Sequence, residues 1–173
     1  MVSARRSNRL IWRKYPGLYE YYLIRITSVI GLIQRVTQAR VEVSNQTIAQ
    51  INTGLLVLIG VEKPDSPQSA DRLLERILGY RIFTDTEGKM NLSISNVQGE
   101  LLLVPQFTLT ADTSKGMRPG FSTAAPPALG KELFQYLQTE AITKYKNVQA
   151  GEFGANMQVT LTNDGPVTFW LQT

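Results

Sequence analysis

The stretch GLLVLIGV, residues 54–61, is the longest apolar run in the chain. It falls well short of the roughly twenty residues a membrane helix needs, and it suits a fully buried strand. Strand grammar surrounds it. GLIQRVTQARVEV, from Gly31, alternates over much of its length, with Ile33, Val36, Val41 and Val43 as inward positions. Ser44-Asn45-Gln46 then makes a turn, and a second strand leads to a corner at Gly54. Lys63-Pro64-Asp65-Ser66-Pro67 ends the buried strand and opens a helix, with Ser66 as N-cap and Pro67 at the first helical position. Ala70, Leu73, Leu74, Ile77 and Leu78 recur at helical spacing and form one apolar stripe.

Further along, RIF at 81–83 reads as a short strand and Asp85 to Lys89 as a turn. GELLLVPQFTLT reads as a long buried strand interrupted by Pro105; a proline there leaves one side of the strand free of ladder pairing. The loop ADTSKGMRPGFSTAAPP follows. Pro126-Pro127 then starts a second helix, in which Leu129, Leu133 and Leu137 share a face. Two strands close the chain, around Met157 to Leu161 and Val167 to Leu171. The pattern predicts an α+β domain with a largely antiparallel, barrel-like sheet and two main helices, occupying residues 29–173 as a single unit.

What chemistry can such a chain carry? It has no histidine and no cysteine. That removes Ser-His-Asp and Cys-His catalysis, the commonest general base and the commonest zinc ligand. The lack of thiols fits a reducing cytosol. No phosphate-loop, dinucleotide or metal-ligand spacing is present, so no cofactor or metal is called for. An enzyme built from these residues must use carboxylates, lysine, tyrosine, backbone dipoles or its substrate's own groups. The net charge of +4 is unevenly spread. Residues 1–28 hold six basic residues and one acidic, which leaves twelve basic and thirteen acidic residues in the remainder. A polyanion bound by that remainder must meet a local patch. Residues 1–28 show no sustained period and no signal-peptide core, and they read as a disordered, dispensable extension or a misplaced start.

Four places carry candidate chemistry. Gln106 beside Pro105 offers an amide and backbone N–H groups at a free strand edge, the raw material of an oxyanion hole; a kinked core strand with Thr108 on a wet face is the plain alternative. Lys115 and Arg118, with Phe121 in the same glycine-rich loop, can grip phosphate and stack a base, or simply keep a loop soluble. Arg35 lies inside the first strand and either orients a carbonyl or phosphate or faces solvent. Asn163-Asp164-Gly165-Pro166 has the local grammar of a hairpin corner before the last strand.

Taken in order, GLIQRVTQARVEV, GLLVLIGVE, ADRLLERILGYRIF, EGKMNLS, QFTLTAD, KGMRPGFS and NDGPVTFWL closely resemble the D-aminoacyl-tRNA deacylase family, over nearly everything from Val29 to Thr173. The resemblance implies a homodimeric esterase that releases D-amino acids or glycine from the 3′ end of tRNA. It further implies that Gly165-Pro166 forms a cis turn inserted into the partner's active site, rejecting L side chains. Arg35 matches the residue that holds this turn, and Asn163 belongs to the same NxGPVT motif. Gln106, Phe107 and Thr108 match the catalytic strand, with the Phe107 N–H as oxyanion donor and Thr108 in an orienting role. Met157 and Phe107 would wall the adenosine pocket, and Lys115 and Arg118 would meet tRNA. Where the family has serine before the glutamine, this chain has Pro105, which is expected only to stiffen the strand. The competing classes are a nucleic-acid-binding module without turnover and an amidase using Thr108. An internal threonine lacks the N-terminal amine on which such amidases depend.

Overall fold

The computed structural model describes residues 29–173; the extension read at residues 1–28 lies outside the described residues. The backbone of the fold is β1 (Ile30–Val43), a strand long enough to serve three neighbours. Its first half pairs antiparallel with β3 (Gly54–Gly60), and its second half pairs antiparallel with β2 (Gln46–Ile51) along the same edge. Ser44 and Asn45 turn the β1–β2 hairpin with φ of 51° and 62°, the left-handed pair that a tight two-residue hairpin requires. The other edge of β1 is taken along nearly its whole length by β8 (Met157–Gln172).

Beyond β3 the sheet continues as β6 (Glu100–Pro105) and β7 (Val148–Ala150), both pairing in parallel. The sheet is therefore mixed, which corrects the expectation of a largely antiparallel one. The cause is topological. Between β3 and β6 lie α1 (Pro67–Gly79), the small ribbon β4 (Phe83–Thr84) with β5 (Met90–Leu92), and the short α2 (Ile94–Val97). Between β6 and β7 lies α3 (Pro127–Lys144). A connection that crosses the sheet through a helix returns the chain in the same direction, so each crossover yields a parallel pair.

Two apolar clusters hold this arrangement. On the helix side, Leu55, Val57, Ile59, Leu101 and Leu103 pack with Leu73, Leu74 and Ile77 of α1 and Leu133 and Leu137 of α3. On the other side the sheet curls over itself, and Val36, Val41, Ile51, Leu56, Leu102 and Val104 meet Val159 and Leu161 of β8. The sheet is thus nearly closed and barrel-like. The run at 54–61 is uniformly apolar because β3 is covered on both faces; only Leu58 is partly exposed.

The α1 stripe falls where the periodicity puts it, with Ala70, Leu73, Leu74 and Ile77 buried and Leu78 partly so. Its start is a reciprocal cap: the Ser69 N–H donates to Ser66 Oγ at 3.4 Å, and the Ser66 N–H donates to Ser69 Oγ at 3.0 Å. Replacing Ser66 with alanine is expected to cost about 1 kcal/mol. A urea titration would read this as a lower midpoint with an unchanged slope.

Candidate active site

The predicted long strand stops early. β6 ends at Pro105, and Phe107–Thr110 forms a single 3-10 turn, closed by Leu109 N–H to Gln106 O at 3.2 Å. Proline is the reason it stops there. Gln106 N–H donates to Ile59 O on the β3 side at 2.7 Å, so by alternation the nitrogen of Pro105 faces the β7 side. The last β6–β7 pair is Leu103 with Ala150, so the ladder ends just where a residue without an N–H arrives. The 3-10 turn then lies on β3, and Gly60 makes this possible: a Cβ there would stand 3.0 Å from Leu109 Cβ. Being the first residues of a turn whose first internal bond is made by Leu109, Phe107 and Thr108 have backbone N–H groups with no acceptor inside it.

A cleft of about 510 Å³ opens beside this turn. Pro105, Gln106 and Phe107 form one wall, Met157 and Val159 of β8 another, and Phe134 of α3 with Phe153 a third. Not one lining residue has a titratable side chain; Gln106 and Asn156 are its polar side chains. Gln106 Nε2 donates to Thr108 Oγ1, so the threonine oxygen is occupied as an acceptor by a neutral amide. Thr108 itself is exposed. Phe153 and Asn156 were not singled out from the sequence. Their signal is weak: an aromatic inside a single turn, in GEFGAN, has no periodicity to betray it. Phe153 is placed by its ring contact with Phe134, centroids 6.4 Å apart.

The second group of predicted residues lies elsewhere. The two closing strands are one strand, β8, and Asn163-Asp164-Gly165-Pro166 is not a hairpin corner. It is an outward bulge: Asn163 pairs with Val36 and Thr168 with Gln34, so four residues of β8 stand opposite Arg35 alone. Asn163 ties the bulge together, its Nδ2 donating to Thr168 Oγ1 at 2.8 Å and its Oδ1 accepting from Val167 N–H at 2.7 Å. The Gly165-Pro166 peptide is cis, and both residues are exposed. Arg35 is buried, not solvent-facing: its Nη1 donates to Ile82 O at 2.6 Å and its Nε lies 2.9 Å from Asp164 Oδ2. That Nε makes no directed hydrogen bond, so the contact with Asp164 is an ion pair. None of Arg35, Asn163, Gly165 and Pro166 lines the cleft.

Lys115 and Arg118 form a third group, exposed on the loop after the 3-10 turn. The predicted residues therefore fall into a cleft wall (Gln106, Phe107, Met157, with Thr108 bonded to Gln106), a braced bulge and a cationic loop tip.

The family profile described as D-Tyr-tRNA(Tyr) deacylase matches residues 32–172. A D-aminoacyl-tRNA deacylase from Nitrosococcus oceani is 59% identical over 144 residues, covering 83% of this chain and 93% of its own length. One from Pseudomonas fluorescens strain Pf0-1 is 60% identical over 143 residues, covering 83% and 99%. Among solved structures, a c-Myc DNA unwinding element binding protein superposes with a TM-score of 0.80 at 35% identity, over 83% of this chain and 98% of that one. A probable eukaryotic D-amino acid tRNA deacylase superposes at 0.73 with 17% identity, over 85% and 100%, a likeness of fold. With the profile spanning nearly the whole described chain and relatives near 60% identity, the chain belongs to the D-aminoacyl-tRNA deacylase family.

Proposed function

We propose that this protein hydrolyses the ester between a D-amino acid, or glycine, and the terminal ribose of tRNA, in the cytoplasm, where charged tRNA is used. The observation that carries the reading is the cleft itself: walls without a titratable side chain, beside a turn whose first N–H groups have no internal acceptor. An aminoacyl ester is already activated, so it needs an oriented carbonyl and a stabilised oxyanion more than a strong protein base. The Phe107 N–H, with Gln106 beside it, supplies the donors. The vicinal ribose hydroxyl and a water supply the proton chemistry that no cleft side chain can. Met157 and Phe107 wall the terminal nucleoside, and Lys115 and Arg118 meet the tRNA backbone.

Stereochemical choice falls to the bulge. In this chain Gly165 and Pro166 are exposed and do not line the chain's own cleft, so a cleft in which they act belongs to a second copy. The working unit is accordingly a homodimer in which each Gly-cisPro turn closes the partner's site, steadied by Arg35 and Asn163. Its carbonyl oxygens take the substrate's ammonium and leave no room for an L side chain, whereas glycine passes. Pro105 in place of the family serine costs little on this reading, because the N–H it lacks faces the end of the β6–β7 ladder and the Phe107 and Thr108 donors lie beyond it.

A second reading, nucleic-acid binding without turnover, draws support from the name of the DNA-binding relative at 35% identity. One assay separates the two. Matched D- and L-aminoacyl-tRNA are incubated with the purified protein; the D ester is expected to be cleaved and the L ester spared. Salt-sensitive binding of DNA or uncharged tRNA, with neither ester cleaved, would replace the enzyme with the binding module.

A further inference from the structure

Phe107 is 60% exposed and Phe121 is 40% exposed, yet their rings pack together with centroids 5.2 Å apart and planes tilted by 48°. Phe107 belongs to the cleft wall, while Phe121 lies at the root of the loop that follows. The root is rigidly fastened. Asp112 and Gly120 exchange backbone hydrogen bonds of 2.7 and 2.9 Å, Thr123 Oγ1 donates to Thr110 O at 2.6 Å, and Ala125 N–H donates to Val61 O at 3.0 Å. The tip between Asp112 and Gly120 therefore projects from a fixed base beside the cleft mouth. It carries Lys115, Arg118 and a fully exposed Met117. Neither cation makes an ion pair among the described residues.

Two half-exposed rings at the root of a loop whose tip carries two unpaired cations expose apolar surface that a folded chain ordinarily covers, and leave charge it ordinarily pairs. The same combination is what a single strand of nucleic acid meets: aromatic faces for bases, cations for the phosphates between them. Charge narrows the occupant further. Residues 29–173 carry twelve basic and thirteen acidic residues, so a polyanion has no general field to follow here and needs a local patch.

We propose that Phe121, backed by Phe107 and flanked by Met117, is a stacking platform for the nucleotide that precedes the terminal nucleoside of the tRNA 3′ end. Lys115 and Arg118 hold the phosphates on either side of that nucleotide. The inference rests on the deacylase reading, which puts the terminal nucleoside in the cleft; from there the strand must leave past Phe107. The platform then sets affinity for tRNA as distinct from affinity for the ester.

The test compares two substrates carrying the same ester, D-tyrosyl-tRNA and 3′-O-D-tyrosyl-adenosine, with the full-length protein. Phe121→Ala is expected to lower kcat/KM on the tRNA about tenfold, mainly through KM, and to lower it far less on the adenosine ester. Phe121→Trp should restore the tRNA value. Joint replacement of Lys115 and Arg118 by alanine should flatten the salt dependence of KM for tRNA. Equal losses on both substrates would overturn the platform and make Phe121 a prop for Phe107. A change of oligomeric state in Phe121→Ala would overturn it too, by assigning the exposed rings to a second copy. A wild-type protein that cleaves neither substrate sinks the deacylase reading and this inference together.

Discussion

Replacing Gly165 with leucine is expected to lower deacylation on the order of a hundredfold while the protein stays folded. Gly165 has φ of 123°, a backbone region that side-chain-bearing residues rarely enter. A Cβ there would stand 2.7 Å from Val167 Cγ2 and 3.0 Å from Arg35 Nη2. The bulge must therefore rearrange, displacing Val167 and with it the guanidinium that braces the turn. Gly165 is exposed, and of its close neighbours only the partly buried Val167 touches an apolar cluster, so the penalty is mainly local: about 1–3 kcal/mol of backbone strain. At roughly 2–4 °C per kcal/mol, the unfolding midpoint should fall by no more than about 12 °C. The proposed cross-subunit role has its own readout. A subunit carrying Gly165→Leu retains its cleft, and one with a disabled Gln106-Phe107-Thr108 turn retains its bulge. Heterodimers of the two should recover activity that neither homodimer has, because one composite site is whole. If heterodimers form and stay inactive, the turn acts within its own chain.

The second large effect is expected in the RNA. Removing the terminal 2′-hydroxyl of the tRNA, with the amino acid held on the 3′ oxygen, should slow hydrolysis on the order of a hundredfold, the scale of losing a group that acts on the developing charge. Thr108→Ala should cost only about 1 kcal/mol, one hydrogen bond's worth. The asymmetry follows from surroundings. Thr108 Oγ1 accepts a hydrogen bond from the Gln106 amide, and no titratable side chain lines the cleft to take its proton. A hydroxyl so placed can orient a substrate; it is poorly placed to attack one. Both changes delete a single hydroxyl from one site, so they can be compared directly. A folded, tRNA-binding Thr108→Ala protein with no turnover, beside a deoxy substrate cleaved at the normal rate, would make the threonine the nucleophile.

The sequence made the local structure plain and left the distant pairings hidden, and particular residues show why. Ser66-Pro67 announces a helix start because capping is settled within four residues. Ser44-Asn45 likewise announces a hairpin. The parallel pairing of β3 with β6 joins segments some 46 residues apart (Gly54 with Glu100), and nothing in either segment names the other. GELLLVPQFTLT misled for a related reason. Its apolar tail looks like continuing strand, but the end is set by Pro105 and by the seat that Gly60 offers on a different strand. The closing turn misled in the opposite direction. Asn-Asp-Gly-Pro has every mark of a corner, and only the unbroken partner β1 converts it into a bulge. Of the candidate site, Gln106, Phe107 and Met157 come together in the cleft. Phe153 and Asn156 escaped because loop residues leave no periodic trace.

A cleft whose walls carry no ionisable side chain has a consequence for how such a protein changes over generations. When the groups that act are main-chain N–H donors, the apparatus is inherited with the path of the chain and not with the identity of any one residue. Wall residues such as Val159 or Phe134 can then drift among apolar types, altering which esters are held without touching the step that cleaves them. The damaging edits are those to geometry: a proline that deletes a donor, or a side chain forced onto Gly60 beneath the turn.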